Sequence, residues 1–114
     1  MIYSKKVDIL SSKKYTPYTI TGVYRVEMVD ALVQVKGRIC RIDEMFDQRG
    51  LRMLQFFIED DTGTIEVDYQ VREDIEIELF KEFSIGDIVT VYGSMMDDLF
   101  RDIYRIYADE MVKG

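Results

Sequence analysis

With 114 residues and 47% hydrophobic content, the chain is long enough for one domain with one modest core. Its 22 acidic residues outnumber 15 basic ones, a net charge of -7, so the domain alone is expected to neutralise few phosphates and to bind nucleic acid weakly. The absence of histidine and the single Cys40 exclude an internal disulfide, all but exclude a structural zinc, and remove His-based general-base and triad chemistry.

The start, Met1-Ile2-Tyr3-Ser4-Lys5-Lys6, has no long apolar run behind it, so neither a signal peptide nor a membrane span is expected. An intracellular chain follows, nuclear in a eukaryote and cytoplasmic otherwise. Residues 1–17 carry Lys5, Lys6, Lys13 and Lys14 and end at the lone Pro17; they are expected to form an arm, with the folded domain over 18–114.

From Tyr18 to Asp30 apolar residues recur without helical spacing and Gly22 interrupts them, which predicts a short strand or extended cover. Leu32–Ile42 is the first barrel strand: Val33, Val35 and Ile39 point one way, Gln34, Lys36, Arg38 and Cys40 the other. Gly37 inside it marks a bend. Asp43–Gly50 is expected to be a loop, and Leu51–Glu59 a second strand with Leu54, Phe56 and Ile58 on one face. Asp60-Asp61-Thr62-Gly63 is a tight turn in which Gly63 should supply positive φ.

Thr64–Val71 alternates Ile65, Val67, Tyr69 and Val71 on one side as a third strand. Arg72–Phe83 predicts a helix: Ile75, Leu79, Phe80 and Phe83 share a stripe, and Glu73 and Asp74 suit its first turn. Ser84-Ile85-Gly86-Asp87 ends it. Ile88–Ser94 is a fourth strand with Val89 and Val91 inward, Asp97-Asp98 a turn, and Ile103–Met111 a fifth strand. The order is that of an OB-fold: an all-β, five-stranded barrel with one helix between strands three and four, closing the open bottom.

Catalytic chemistry finds no support. Asp60 with Asp61, and Asp97 with Asp98, could hold a divalent cation, but neighbouring acids in a turn more commonly serve turn geometry. No phosphate loop or nucleophile elbow is present, and neither metal nor cofactor nor enzymatic activity is expected.

Eight tyrosines and six phenylalanines suggest base stacking instead. Phe56, Tyr69, Phe80 and Phe83 fall on core stripes, whereas Phe57, Tyr92, Phe100 and Tyr104 fall on the opposite face. Basic residues near that face are Lys36, Arg38, Arg41, Arg49, Arg52, Arg101 and Arg105. The expected nucleic-acid site is Lys36, Arg38, Arg52, Phe57, Tyr92, Phe100, Arg101 and Tyr104. Against it, Glu66 and Asp68 occupy outward positions of the third strand, where they would repel phosphate. Met53, Phe57, Tyr92, Met95, Met96, Leu99, Phe100 and Tyr104 are apolar outward candidates, a composition that suits a protein interface.

Phe57-Ile58-Glu59-Asp60-Asp61-Thr62-Gly63-Thr64-Ile65-Glu66-Val67 resembles the hairpin of OB domains in the middle subunit of replication protein A. Gly86-Asp87-Ile88-Val89-Thr90-Val91-Tyr92-Gly93 is similar to that family's fourth strand, and Thr21-Gly22-Val23-Tyr24-Arg25-Val26 before Val33-Gln34-Val35-Lys36-Gly37 resembles its lead-in and first strand. The middle subunit of the parallel telomere-capping complex fits equally, and the acid-acid-Thr-Gly hairpin also occurs in anticodon-binding OB domains of tRNA synthetases. The resemblance covers residues 18–112. It implies a subunit of a single-stranded-DNA-binding complex in replication, repair or telomere maintenance, partnered by other OB-fold subunits and away from membranes. An RNA- or tRNA-binding module is the alternative. Gln70 stands where the family has a stacking tryptophan, Asp68 where it has a basic residue, and Asp97-Asp98 near its loop aromatic. The family's helix after strand five has no counterpart before Gly114. These departures imply a domain that works mainly through protein contact, with weak auxiliary DNA contact.

Overall fold

A computed structural model describes residues 14–26, 30–46, 50, 52–70, 83–98 and 103–114. Strand β1 (Thr16–Tyr18) precedes helix α1 (Ile20–Tyr24), and β2 (Leu32–Phe46), β3 (Arg52–Asp60), β4 (Gly63–Gln70), β5 (Ile88–Asp98) and β6 (Ile103–Lys113) follow. The last five strands close on themselves. Neighbours β2–β3, β3–β4, β5–β6 and β2–β5 are antiparallel, and β4–β6 is parallel, with Val67 opposite Ile106 and Asp68 opposite Tyr107. Closure removes the free edges that an open sheet of this length would expose.

One long strand makes the closure possible. β2 pairs with β5 over Leu32–Arg38 and with β3 over Arg38–Phe46. Gly37 sits at this change of partner, as expected of a bend: a Cβ there would lie 2.7 Å from the Glu59 carbonyl oxygen. The register then slips between Ile39 and Arg41. Cys40 is the extra residue of this bulge, and its Sγ donates to the Phe57 carbonyl at 3.2 Å.

Inward alternation supplies the core. Val33, Val35, Ile39, Phe56, Ile58, Val67, Val89, Val91 and Ile106 have no exposed surface, and Tyr69 is 3% exposed. Burying each such side chain stabilises the fold by about 1.5–3 kcal/mol. Phe83 packs edge-on against Phe56 at 6.1 Å, in keeping with its core assignment. The expected helix over 72–83 otherwise lies outside the described residues.

Several local expectations are corrected. The segment from Tyr18 to Asp30 contains α1, not only extended chain. Thr19 caps it, its hydroxyl accepting from the Gly22 amide at 3.0 Å, and Ile20 and Val23, three apart, are both fully buried. A helix this short shows too few apolar repeats to reveal its period. β2 continues through Phe46, so Asp43–Phe46 is strand and not loop, held by pairing to Arg52–Gln55. Asp97 and Asp98 belong to β5, opposite Tyr104 and Ile103, and do not form the turn. Met95 is core, at 1% exposure. Gly63 is not among the positive-φ glycines, which are Gly50, Gly86 and Gly114. The Asp60 carboxylate organises that turn instead, accepting from the amides of Thr62 at 2.7 Å and Gly63 at 3.1 Å.

The same turn anchors α1. The Ile20 amide donates to Asp60 Oδ2 at 2.9 Å, the Thr21 amide to Thr62 Oγ1 at 2.9 Å, and the Tyr24 hydroxyl to the Thr64 carbonyl at 2.8 Å. Ile20 and Val23 thereby join the core beside the β3–β4 turn. Before α1, Thr16 and Pro17 pair with Val33 and Gln34, so the end of the expected arm joins the sheet.

Candidate nucleic-acid interface

The described residues of the expected site do not converge on one surface. Phe57 lies half-buried on the outer face of β3, with the Arg41 guanidinium 5.3 Å from its ring centroid. Arg41 also pairs with Asp43, Nε to Oδ2, at 2.9 Å. Strict alternation from Ile39 would put Arg41 inside; the bulge at Cys40 reverses the phase and brings it beside Phe57.

Lys36 and Arg38 are exposed on β2 on the far side of the bulge. They line a groove of about 400 Å³ with Gly37, Glu59, Asp60, Asp61 and Ile88. Arg38 forms an ion pair with Glu59 across the β2–β3 ladder. Tyr92 stands on β5 beside Gln34 and meets the Tyr15 ring edge-on at 5.4 Å. Tyr15 donates its hydroxyl to Asp109 Oδ2 at 2.6 Å; burial, then that carboxylate, raise the phenol pKa. Tyr104 is half-buried against the core, which corrects its assignment to the outer face. Arg52 pairs with Phe46 at the far end of the β2–β3 hairpin. Phe100 and Arg101, like Arg49 and Leu99, lie outside the described residues. Phe46, absent from the expected site, is 62% exposed there; taking 43–50 as a loop conceals its place on a strand.

A second correction concerns the acids of β4. Glu66 and Asp68 do point away from the core, yet they are only 6% and 1% exposed. Arg105 of β6 lies against both, its Nη1 2.8 Å from Asp68 Oδ2 and 3.6 Å from Glu66 Oε2. Gln55 of β3 donates to Asp68 Oδ1 at 3.2 Å. Burial pushes the Asp68 carboxyl up to about 6; Arg105 and the Gln55 hydrogen bond oppose the rise and neighbouring Glu66 adds to it. The repulsion expected on this face is therefore largely screened by an internal ion pair.

Asp60 behaves oppositely. Desolvation raises its pKa, but hydrogen bonds from Thr62, Ile20 and Gly63 outweigh that and leave it lowered. Its oxygens are engaged in the turn and the α1 anchor. Among the described residues no group of three or more Cys, Asp or Glu side chains is placed to hold a metal ion.

A closed five-stranded barrel whose long first strand serves two neighbours, with a parallel β4–β6 closure, defines an OB-fold protein. The family profile of OB-fold nucleic acid binding domains, the tRNA anti-codon family, matches residues 33–113, and the chain belongs to that family. No curated protein matches the chain. Among solved structures, the S. pombe Stn1-Ten1 complex is similar at 17% identity, covering 90% of this chain and 79% of that one, with a TM-score of 0.71. A putative aspartyl-tRNA synthetase from Leishmania major matches at 12% identity over 96% of this chain and 26% of that one, TM-score 0.69. The second OB-fold domain of replication protein A from Methanococcus maripaludis matches at 20% identity over 86% and 94%, TM-score 0.62. At such identities the likeness is one of fold.

Proposed function

We propose that this domain is a non-enzymatic subunit of a single-stranded-DNA-binding complex of the replication protein A or telomere-capping type, working mainly through contacts with other OB-fold subunits and touching DNA weakly. The observation that carries this reading is the β3–β4 outer face. Its centre is an internal ion-pair cluster of Glu66, Asp68 and Arg105, and one cation–aromatic pair, Arg41 on Phe57, stands beside it. Such a face can stack a base and meet a phosphate, but the acidic chain around it keeps affinity low. Lys36, Arg38 and Arg52 supply further positive charge along β2 and β3.

A tRNA-binding role is the second reading, favoured by the matched family and by the aspartyl-tRNA synthetase among the similar structures. Fluorescence anisotropy with labelled oligo(dT) and with tRNA separates the two. The expected result is weak, strongly salt-dependent oligo(dT) binding, together with recovery of a second OB-fold protein from extracts of the source cells. Tight, selective tRNA binding would overturn the proposal.

A further inference from the structure

Alternation on β4 buries Ile65, Val67 and Tyr69 and turns Glu66 and Asp68 away from the core, yet the two acids are nearly buried. The Arg105 side chain beside them is the more accessible, at 23% exposed. Two carboxylates and one guanidinium leave one net negative charge in a poorly solvated place when all are ionised. Neighbouring Glu66 adds to the cost of ionising Asp68 in that place.

The cluster lies at the end of a row. Arg41 is opposite Phe57, Phe57 is opposite Glu66, and the β4–β6 register sets Glu66 beside Arg105. Two arginines thus flank one aromatic ring across four neighbouring strands, about 14 Å apart at ordinary strand spacing. That span suits a few nucleotides of a single strand crossing the sheet.

We propose that Arg105 is a phosphate contact held in reserve: Asp68 holds its Nη1 at 2.8 Å in neutral solution, and protonation of Asp68 leaves the guanidinium only the longer contact to Glu66, so that it can turn to the backbone of a single-stranded DNA. This rests on the reading above that the barrel touches DNA. Among the described residues, the polar and charged groups around Asp68 are Gln55 from β3, Glu66 on β4, and Arg105 and Tyr107 from β6; Tyr24 of α1 lies near Glu66. Gln55 donates to the Asp68 carboxyl, and a protonated carboxyl can still accept that bond through its carbonyl oxygen, whereas it loses its charge attraction to Arg105. The raised Asp68 pKa, about 6, places the change just below neutrality.

The test measures oligo(dT) anisotropy at about pH 7.5 and about pH 5.5, at one low salt concentration, for the wild type, Asp68→Asn, Arg105→Gln and the double variant. The wild type should bind about tenfold tighter at the lower pH, the worth of one charge-assisted hydrogen bond. Asp68→Asn should bind with the higher affinity at both values. Arg105→Gln and the double variant should bind weakly at both, which separates the effect from the general loss of negative charge on acidification, and their salt slope should fall by about 0.7. If Arg105→Gln fails to fold, judged by circular dichroism, Asp68→Asn carries the test alone, since it keeps the arginine. Should Asp68→Asn bind no tighter than the wild type at the higher pH, or Arg105→Gln keep the full pH response, the gate is overturned while weak DNA binding stands. Should no protein bind oligo(dT) at either pH, the gate and the DNA reading fall together.

Discussion

Replacing Asp68 with asparagine should change how stability depends on pH in a direction that linkage fixes. The folded carboxyl titrates near 6 and the unfolded one near its ordinary 3.8. A pKa raised by folding means that the contribution to stability is fully present below the unfolded value and is lost as pH rises through the folded one. Once ionised, the buried carboxylate therefore costs the folded state about 3 kcal/mol relative to its protonated form. Asparagine is nearly isosteric, offers Gln55 an acceptor, and does not titrate, and Arg105 retains Glu66 at 3.6 Å. Urea denaturation of both proteins from about pH 4 to about pH 7.5 reads the effect. The stability of the wild type minus that of the variant should fall as pH rises from about 4 through about 6, by up to about 3 kcal/mol, and level off above about 7. A difference that stays constant, or grows with pH, would refute the claim that burial dominates the site.

Other consequences are simpler to read. Gly93→Ala should destabilise by about 1–3 kcal/mol, because its Cβ would lie 2.3 Å from the Tyr107 carbonyl oxygen, whereas Gly63→Ala, with its nearest contacts at 3.6 Å, should cost less than about 1 kcal/mol in thermal melts. Ile20→Ala should cost about 2–5 kcal/mol by chemical denaturation, since the side chain is fully buried, and should increase hydrogen exchange in α1. Asp60→Ala removes the acceptor for the turn and for α1 and should cost about 1 kcal/mol, the worth of a cap. Phe57→Ala and Arg41→Ala should each weaken oligo(dT) binding further in anisotropy titrations, whereas Tyr104→Phe, at a core-facing ring, should leave it unchanged.

Legibility tracked the range of the interaction responsible. The β3–β4 hairpin was plain in the sequence because alternation, an acid-rich turn and a second alternation lie within twenty contiguous positions, and each is enforced by near neighbours. The lead-in segment hides its helix because α1 spans only five residues and is held by a turn forty positions away. The end of β2 is not legible because polar Asp43 and Glu44 lie on strand extended beyond the first pairing partner, where pairing with β3 outweighs composition.

For the candidate site, the residue types were legible and the grouping was not. Alternation correctly turned Phe57 and Tyr92 outward, but side-chain period says nothing about distance around a closed barrel, so it could not separate the Arg41–Phe57 pair from Tyr92 under Tyr15. The Asp-Asp-Thr-Gly pattern suggests a left-handed backbone at Gly63, yet the Asp60 carboxylate satisfies the turn amides without it.

The sequence by itself determined an acidic net charge, the order of the barrel strands and the inward faces of β2, β3 and β4, because charge and a two-residue period are local properties. Only the tertiary structure decided that a bulge at Cys40 turns Arg41 onto Phe57, and that Glu66 and Asp68 lie buried under Arg105. Both outcomes depend on register and closure between strands distant in the chain, and a one-residue slip in register moves a side chain from one face of the sheet to the other.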